Sequence, residues 1–200
     1  MSDTMVVSLP SNAWRHRPAQ WWFWMVMGLT LAVDLGTKFL AFRLIPLNET
    51  VQVLPGLLNF HTVLNEGAVF GLGSGLRWIF MAATVAAAVF IIQLFAQSRP
   101  RQRYLHVLLA LSLGGALGNL YDRIFYEKVR DFIHIAVTIS NDVPLWPWIF
   151  NIADVALVVG IGTLLVGWTF GWIELQTGGG CACGTAKGCE TTDGPPKSVD

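Results

Sequence analysis

The stretch "LRWIFMAATVAAAVFIIQLF", residues 76–95, constrains this chain more than any other. Its only charge is Arg77 at the edge, and its length matches the roughly 20 apolar residues that carry a helix across a hydrocarbon core about 30 Å thick. In lipid, a strand or loop would leave backbone N–H and C=O groups without partners, so the stretch must be a spanning helix. Three more stretches qualify, approximately Trp21–Phe42, Tyr104–Tyr121 and Ile149–Ile173. With 54% hydrophobic residues and only 13% charged ones, against about 25% charged in soluble domains, the chain reads as an all-α membrane fold of four transmembrane helices. Arg15 and Arg17 before the first run resemble a secretory signal, but the run is too long and no small-residue cleavage site closes it.

Thirteen basic and thirteen acidic residues cancel, so no net field points to nucleic acid. Four spans put both termini on one side. Counting flanking basic residues does not decide which side: Arg15, Arg17, Arg99, Arg101 and Arg103 stand against Arg43, Arg77, Arg123, Lys128 and Arg130. The acid-free turn "QSRPRQR" favours a cytoplasmic position for the first group and therefore for the termini. Residues 43–75 carry β-branched residues around Pro55-Gly56, which predicts short strands with a turn. Residues 122–148 end in "PLWPW", as expected of a chain re-entering at headgroup level.

The chain divides into an N-terminal extension (1–20), a four-span body (21–173) and a tail (174–200) rich in Gly and Cys. The tail has no apolar periodicity and reads as disordered. It holds Cys181, Cys183 and Cys189. A Cys-x-Cys with a third thiol nearby suits a soft metal, while a reduced, solvated tail is the plainer reading. No other feature calls for a metal or cofactor: His16, His61, His106 and His134 are scattered, and "GLGSG" at Gly71–Gly75 lacks the strand-turn-helix setting of a nucleophile elbow.

Polar residues inside the apolar spans carry the functional signal, because each ionisable group there costs about 2.5–3.5 kcal/mol on insertion scales. Asp34 and Lys38 are one helical turn apart and neutralise each other on one face. In "GGALGNLYDR", Gly114 and Gly118 make a face on which another helix can approach closely, and Asn119, Asp122 and Arg123 follow at i, i+3 and i+4. Asn151 and Asp154 share a face at the mouth of the fourth span. Asp131 in "VRDFIHI" stands outside any span, within reach if its loop folds back. Two carboxyls brought together do not both ionise readily. One then removes a proton from water while the other polarises a carbonyl, which is metal-free amide hydrolysis. An ion path through Asp34, Lys38, Asp122 and Asp154, as in a small transporter or proton channel, is the competing reading from a different class.

In order, the sequence holds "DLGTK" (Asp34–Lys38), "NEGAVF" (Asn65–Phe70), "GGALGNLYDR" (Gly114–Arg123), "VRDF" (Val129–Phe132) and "FNIAD" (Phe150–Asp154). With these five motifs placed against four spans, residues 21–173 resemble the bacterial lipoprotein signal peptidases, signal peptidase II. The resemblance implies a cell inner-membrane aspartic endopeptidase with both termini cytoplasmic. It would cut prolipoproteins before a cysteine already carrying diacylglycerol, with lipid-modified substrate and membrane lipids as its partners. Motif by motif, Asp131 and Asp154 would be the catalytic pair, with Asp122 as an alternative partner. Asp34, Lys38, Asn65, Asn119, Asp122, Arg123 and Asn151 would form the polar shell around substrate and pair. The family also implies a small extracytoplasmic β-cradle and a short helix between spans three and four. The connection "IHIAVTISNDVPLWPWI" is long for the family, and the tail is not a family feature.

Overall fold

The computed structural model describes residues 12–67, 76–139 and 144–171. A single 3-10 turn, Ala13–Arg15, leads into α1 (Arg17–Leu44), then β1 (Thr50–Leu54), β2 (Leu58–Asn65), α2 (Arg77–Gln97), α3 (Arg103–Phe125), β3 (Val129–Ile135), β4 (Ile149–Phe150) and α4 (Ile152–Thr169). All four helices are long and apolar enough to cross a membrane. The predicted architecture holds: four spans and a small four-stranded antiparallel sheet, ordered β1-β2-β3-β4.

α3 is the central span, with 67% of its apolar window buried against 17% for α2 and 22% for α1 and for α4. Small residues explain its position. A Cβ on Gly114 would lie 2.8 Å from the Thr30 Cβ of α1, and one on Gly115 would lie 2.5 Å from the Ala153 carbonyl oxygen of α4. A Cβ on Gly118 would meet Asp34 Oδ2. The glycine face thus admits two helices, α1 on one side and α4 on the other, where the sequence pattern implied one. α4 reciprocates: a Cβ on Gly160 would lie 2.8 Å from the Leu108 carbonyl oxygen.

The Pro55-Gly56 turn joins β1 and β2 as expected, with Gly56 at φ 71. Two expectations shift. The fourth helix begins at Ile152 rather than Ile149, because Ile149 and Phe150 pair with His134 and Ile133 as a strand before Asn151 caps the helix. Asp131 sits in strand β3, opposite Val63 of β2, rather than in a loop. Between α3 and α4 the described residues form β3, β4 and a Thr138–Pro144 bridge; residues 140–143 lie outside the description. So do the Gly71–Gly75 loop and the three tail cysteines, Cys181, Cys183 and Cys189.

Candidate active site

The site is organised by the first turn of α4. Asn151 is extended, and its side-chain oxygen accepts the Asp154 N–H at 3.1 Å while Asp154 Oδ2 accepts the Asn151 N–H at 3.1 Å. This reciprocal capping box satisfies groups that a helix start leaves without partners. A third acceptor comes from another span: Asp34 Oδ1 takes the Ala153 N–H at 2.8 Å. Two carboxylates at a helix N-terminus agree with the sign of the helix dipole.

Lys38 holds the other side of Asp34. Its ammonium lies 2.8 Å from Asp34 Oδ2, 2.9 Å from Asn119 Oδ1 and 3.3 Å from Asp122 Oδ2. Asp34, Lys38 and Asp122 are fully buried, which is tolerable because the ammonium donates to Asp34 and Asn119 and pairs in charge with Asp122. Asp122 is completed by Arg130, whose backbone N–H reaches Oδ2 at 3.0 Å and whose guanidinium reaches Oδ1 through Nη2 at 2.7 Å and Nε at 3.1 Å.

Asp131 and Asp154 meet through amides. Asp131 accepts from Asn65 Nδ2 at 2.9 Å and from Asn151 Nδ2 at 2.6 Å, while Asp154 Oδ1 accepts from Asn119 Nδ2 at 2.8 Å. Asn151 therefore touches both carboxyls, Asp131 through its side-chain amide and Asp154 through its backbone N–H. Burial first, and then the Asp154 charge, pushes the Asp131 carboxyl up to about 7, against the opposing pull of the Asn65 and Asn151 hydrogen bonds and Lys38. The charges agree with one proton: Lys38, Arg123 and Arg130 give three positive groups, and Asp34, Asp122, Asp131 and Asp154 give four acids, so neutrality requires one acid to be protonated.

Both carboxyls line a cavity of about 650 Å³. Its polar end is Asn65, Asn119, Arg123, Asp131 and Asp154; beyond them the walls turn apolar, with Phe80, Ala83 and Ala87 of α2 facing Val155 and Val158 of α4. Arg123 donates to the carbonyls of Gly67 at 3.1 Å and Asn119 at 3.3 Å. Trp146 and Trp148, in edge contact at 4.9 Å, add an aromatic rim. Among the described residues no three His, Cys, Asp or Glu side chains are grouped to hold a metal ion.

The nine polar residues that the motifs mark, Asp34, Lys38, Asn65, Asn119, Asp122, Arg123, Asp131, Asn151 and Asp154, all enter this network. Asn119 and Asp122 meet at Lys38, but each also has a further partner, Asp154 for Asn119 and Arg130 for Asp122, while Arg123 reaches Gly67. In the sequence Arg130 stands as a flanking charge within "VRDF", with no partner marked. Its partner is eight residues earlier, across a helix-to-strand turn, so no periodicity marks the pair. Among the cavity walls, Trp146 and Trp148 belong to the "PLWPW" stretch read as interfacial, whereas Phe80 carries no sequence signal beyond apolarity.

Comparison with known proteins gives a consistent answer. The family described as Signal peptidase (SPase) II matches residues 26–170. The lipoprotein signal peptidase of Desulfitobacterium hafniense is 41% identical over 145 residues, which cover 72% of this chain and 89% of that one. The lipoprotein signal peptidase of Escherichia coli is 34% identical over 150 residues, covering 72% and 87%. Among solved structures, a bacterial membrane enzyme matches with a TM-score of 0.66 at 26% identity, over 74% of this chain and 87% of its own.

Proposed function

The chain belongs to the signal peptidase II family, and on that premise we propose that Asp131 and Asp154 are its catalytic pair. The protein is a multi-pass membrane aspartic endopeptidase that removes signal peptides from prolipoproteins. The observation that carries the assignment of the pair is Asn151, which joins an acid of β3 to an acid of α4 at the polar end of a cavity. In the reaction, Asp154 takes a proton from water as the water oxygen attacks the scissile carbonyl. Asp131, which holds the proton of the pair, donates to the carbonyl oxygen as negative charge develops there. The tetrahedral intermediate collapses with the C–N bond breaking: the proton held by Asp154 passes to the leaving nitrogen, and an O–H proton returns to Asp131 as the C=O re-forms. Asp122 has no such freedom, since Arg130 and Lys38 take both of its oxygens. The same saturation of Asp34, Lys38 and Asp122 leaves the ion-path alternative without an open carboxylate chain.

The finer substrate is a prolipoprotein whose cysteine already carries diacylglycerol. An apolar cavity opening from the pair between α2 and α4 suits a cleavage site held at membrane depth by acyl chains. Both termini are cytoplasmic in this reading. Arg123 and Arg130 are committed to the site, so the flanking count becomes five basic residues at the terminal end against Arg43, Arg77 and Lys128 at the other. The test is cleavage of purified diacylglyceryl prolipoprotein by the full-length protein. Asp131→Asn and Asp154→Asn should each abolish release of the signal peptide; retained cleavage in either removes that residue from the pair.

A further inference from the structure

Arg130 is a buried charge that the proton transfers above do not use. It is 5% exposed, does not line the cavity, and hydrogen-bonds to neither Asp131 nor Asp154. Burying a guanidinium is costly unless it is paired. Its ionic partner is Asp122, and its flat face lies 4.1 Å from the Tyr126 ring.

Two consequences follow from that placement. The Arg130 N–H bond to Asp122 Oδ2, at 3.0 Å, ties the start of β3 to the last turn of α3 one residue before Asp131. Successive side chains of a strand point to opposite faces. With Arg130 clamped on Asp122, Asp131 is turned the other way, toward Asn65 and Asn151. The second consequence is charge. Lys38 already serves Asp34 and Asn119 at 2.8 and 2.9 Å, and its distance to Asp122 is 3.3 Å. Without Arg130, the cations facing Asp34, Asp122, Asp131 and Asp154 among the described residues would be Lys38 from α1 and Arg123 from α3. Neutrality would then require two protons rather than one.

We propose that Arg130 is a positioning residue for peptide hydrolysis: acting through Asp122, it seats Asp131 against Asn151 and holds the buried cluster at a single proton. This rests on the reading of Asp131 and Asp154 as the catalytic pair.

The test uses full-length protein, with kinetics on a diacylglyceryl prolipoprotein and an infrared titration of the protonated-carboxyl band. Asp131→Asn should remove both cleavage and the band, which fixes its owner. Arg130→Met should lower kcat by about tenfold or more with KM within about twofold. It should also move the midpoint of the band upward by about one pH unit, the size expected when a buried carboxylate loses its neutralising partner. Arg130→Lys, which keeps the charge without the fork, should return the midpoint to its original place and recover part of kcat. If Arg130→Met does not insert stably, Arg130→Gln carries the same expectation. An unmoved midpoint, with or without a loss of kcat, reduces Arg130 to packing and overturns the proposal. Cleavage or a persistent band in Asp131→Asn overturns the catalytic pairing instead, whatever Arg130 does.

Discussion

The two ends of the helical bundle are built on opposite principles. At the end near the termini, Phe23 and Phe95 stack with ring centroids 4.0 Å apart, and Leu105, Leu109 and Leu113 close around them. The buried His106 there, 1% exposed, is partnered by the likewise buried Ser98 hydroxyl at 2.8 Å. At the far end, four acids, a lysine and two arginines are joined by amides and a helix cap, and the apolar walls are parted to leave a cavity. Packing holds the first end, where each contact adds stability. Hydrogen-bonded charge holds the second, where the same bonds that secure the helices also orient the reacting groups.

The sharpest way to break that contrast is at the pair itself. Asp131→Asn and Asp154→Asn should lower cleavage by about 10²- to 10⁴-fold or more, yet leave thermal unfolding close to that of the unsubstituted protein, because an asparagine keeps the shape and one of the two accepted hydrogen bonds and removes one acid of the cluster. A comparable loss of stability would mean the far end is a structural core after all. The mirror experiment is Phe95→Ala. It should cost about 3–5 kcal/mol of stability, as large aromatic truncations in cores do, with kcat per folded molecule and its pH profile unchanged. Chemical unfolding in detergent beside cleavage kinetics would check both.

A third test reads the charge directly. Asp131 is protonated below about 7 in the folded protein, so cleavage should fall as pH rises through that value. The sign for stability is the same: between the ordinary value of 3.8 and about 7 the folded chain holds a proton that the unfolded chain has released, so stability declines as pH rises across that window. Asn65→Leu removes a donor that favours the ionised form, so the alkaline limb should move to higher pH. A limb that stays in place would separate Asn65 from the pair. The smallest effect is expected outside both ends. Lys128 pairs with Glu66 at 2.7 Å on the surface and pulls the Glu66 carboxyl below its usual value, but Lys128→Gln should leave the unfolding midpoint and cleavage essentially unchanged, since solvent screens exposed pairs.

Some of this site can be read one residue at a time. Asp34 and Lys38 pair at one-turn spacing in any helix, and Asn151 with Asp154 fits a helix start whatever surrounds it. Other parts are invisible at that level. Asp131 and Asp154 are 23 positions apart, and only the pairing of β3 with β2 and β4 brings Asp131 to the start of α4. Arg130 and Asp122 meet across a turn in which Glu127 adopts φ 64. The Ile149–Phe150 strand hides in an apolar run that reads as continuous helix, because hydrophobicity alone does not separate a buried strand from a span.

The sequence by itself determined that this chain lies in a membrane as four helices, because apolar runs of spanning length leave no other way to satisfy the backbone. It also determined which polar residues those helices must shelter, and its ordered motifs marked the family. Tertiary structure decided which of those residues face one another. Helical spacing extends only a turn or two along the chain, whereas the contacts that link Asp34 to Ala153, Arg130 to Asp122 and Asn151 to Asp131 depend on where separate elements pack.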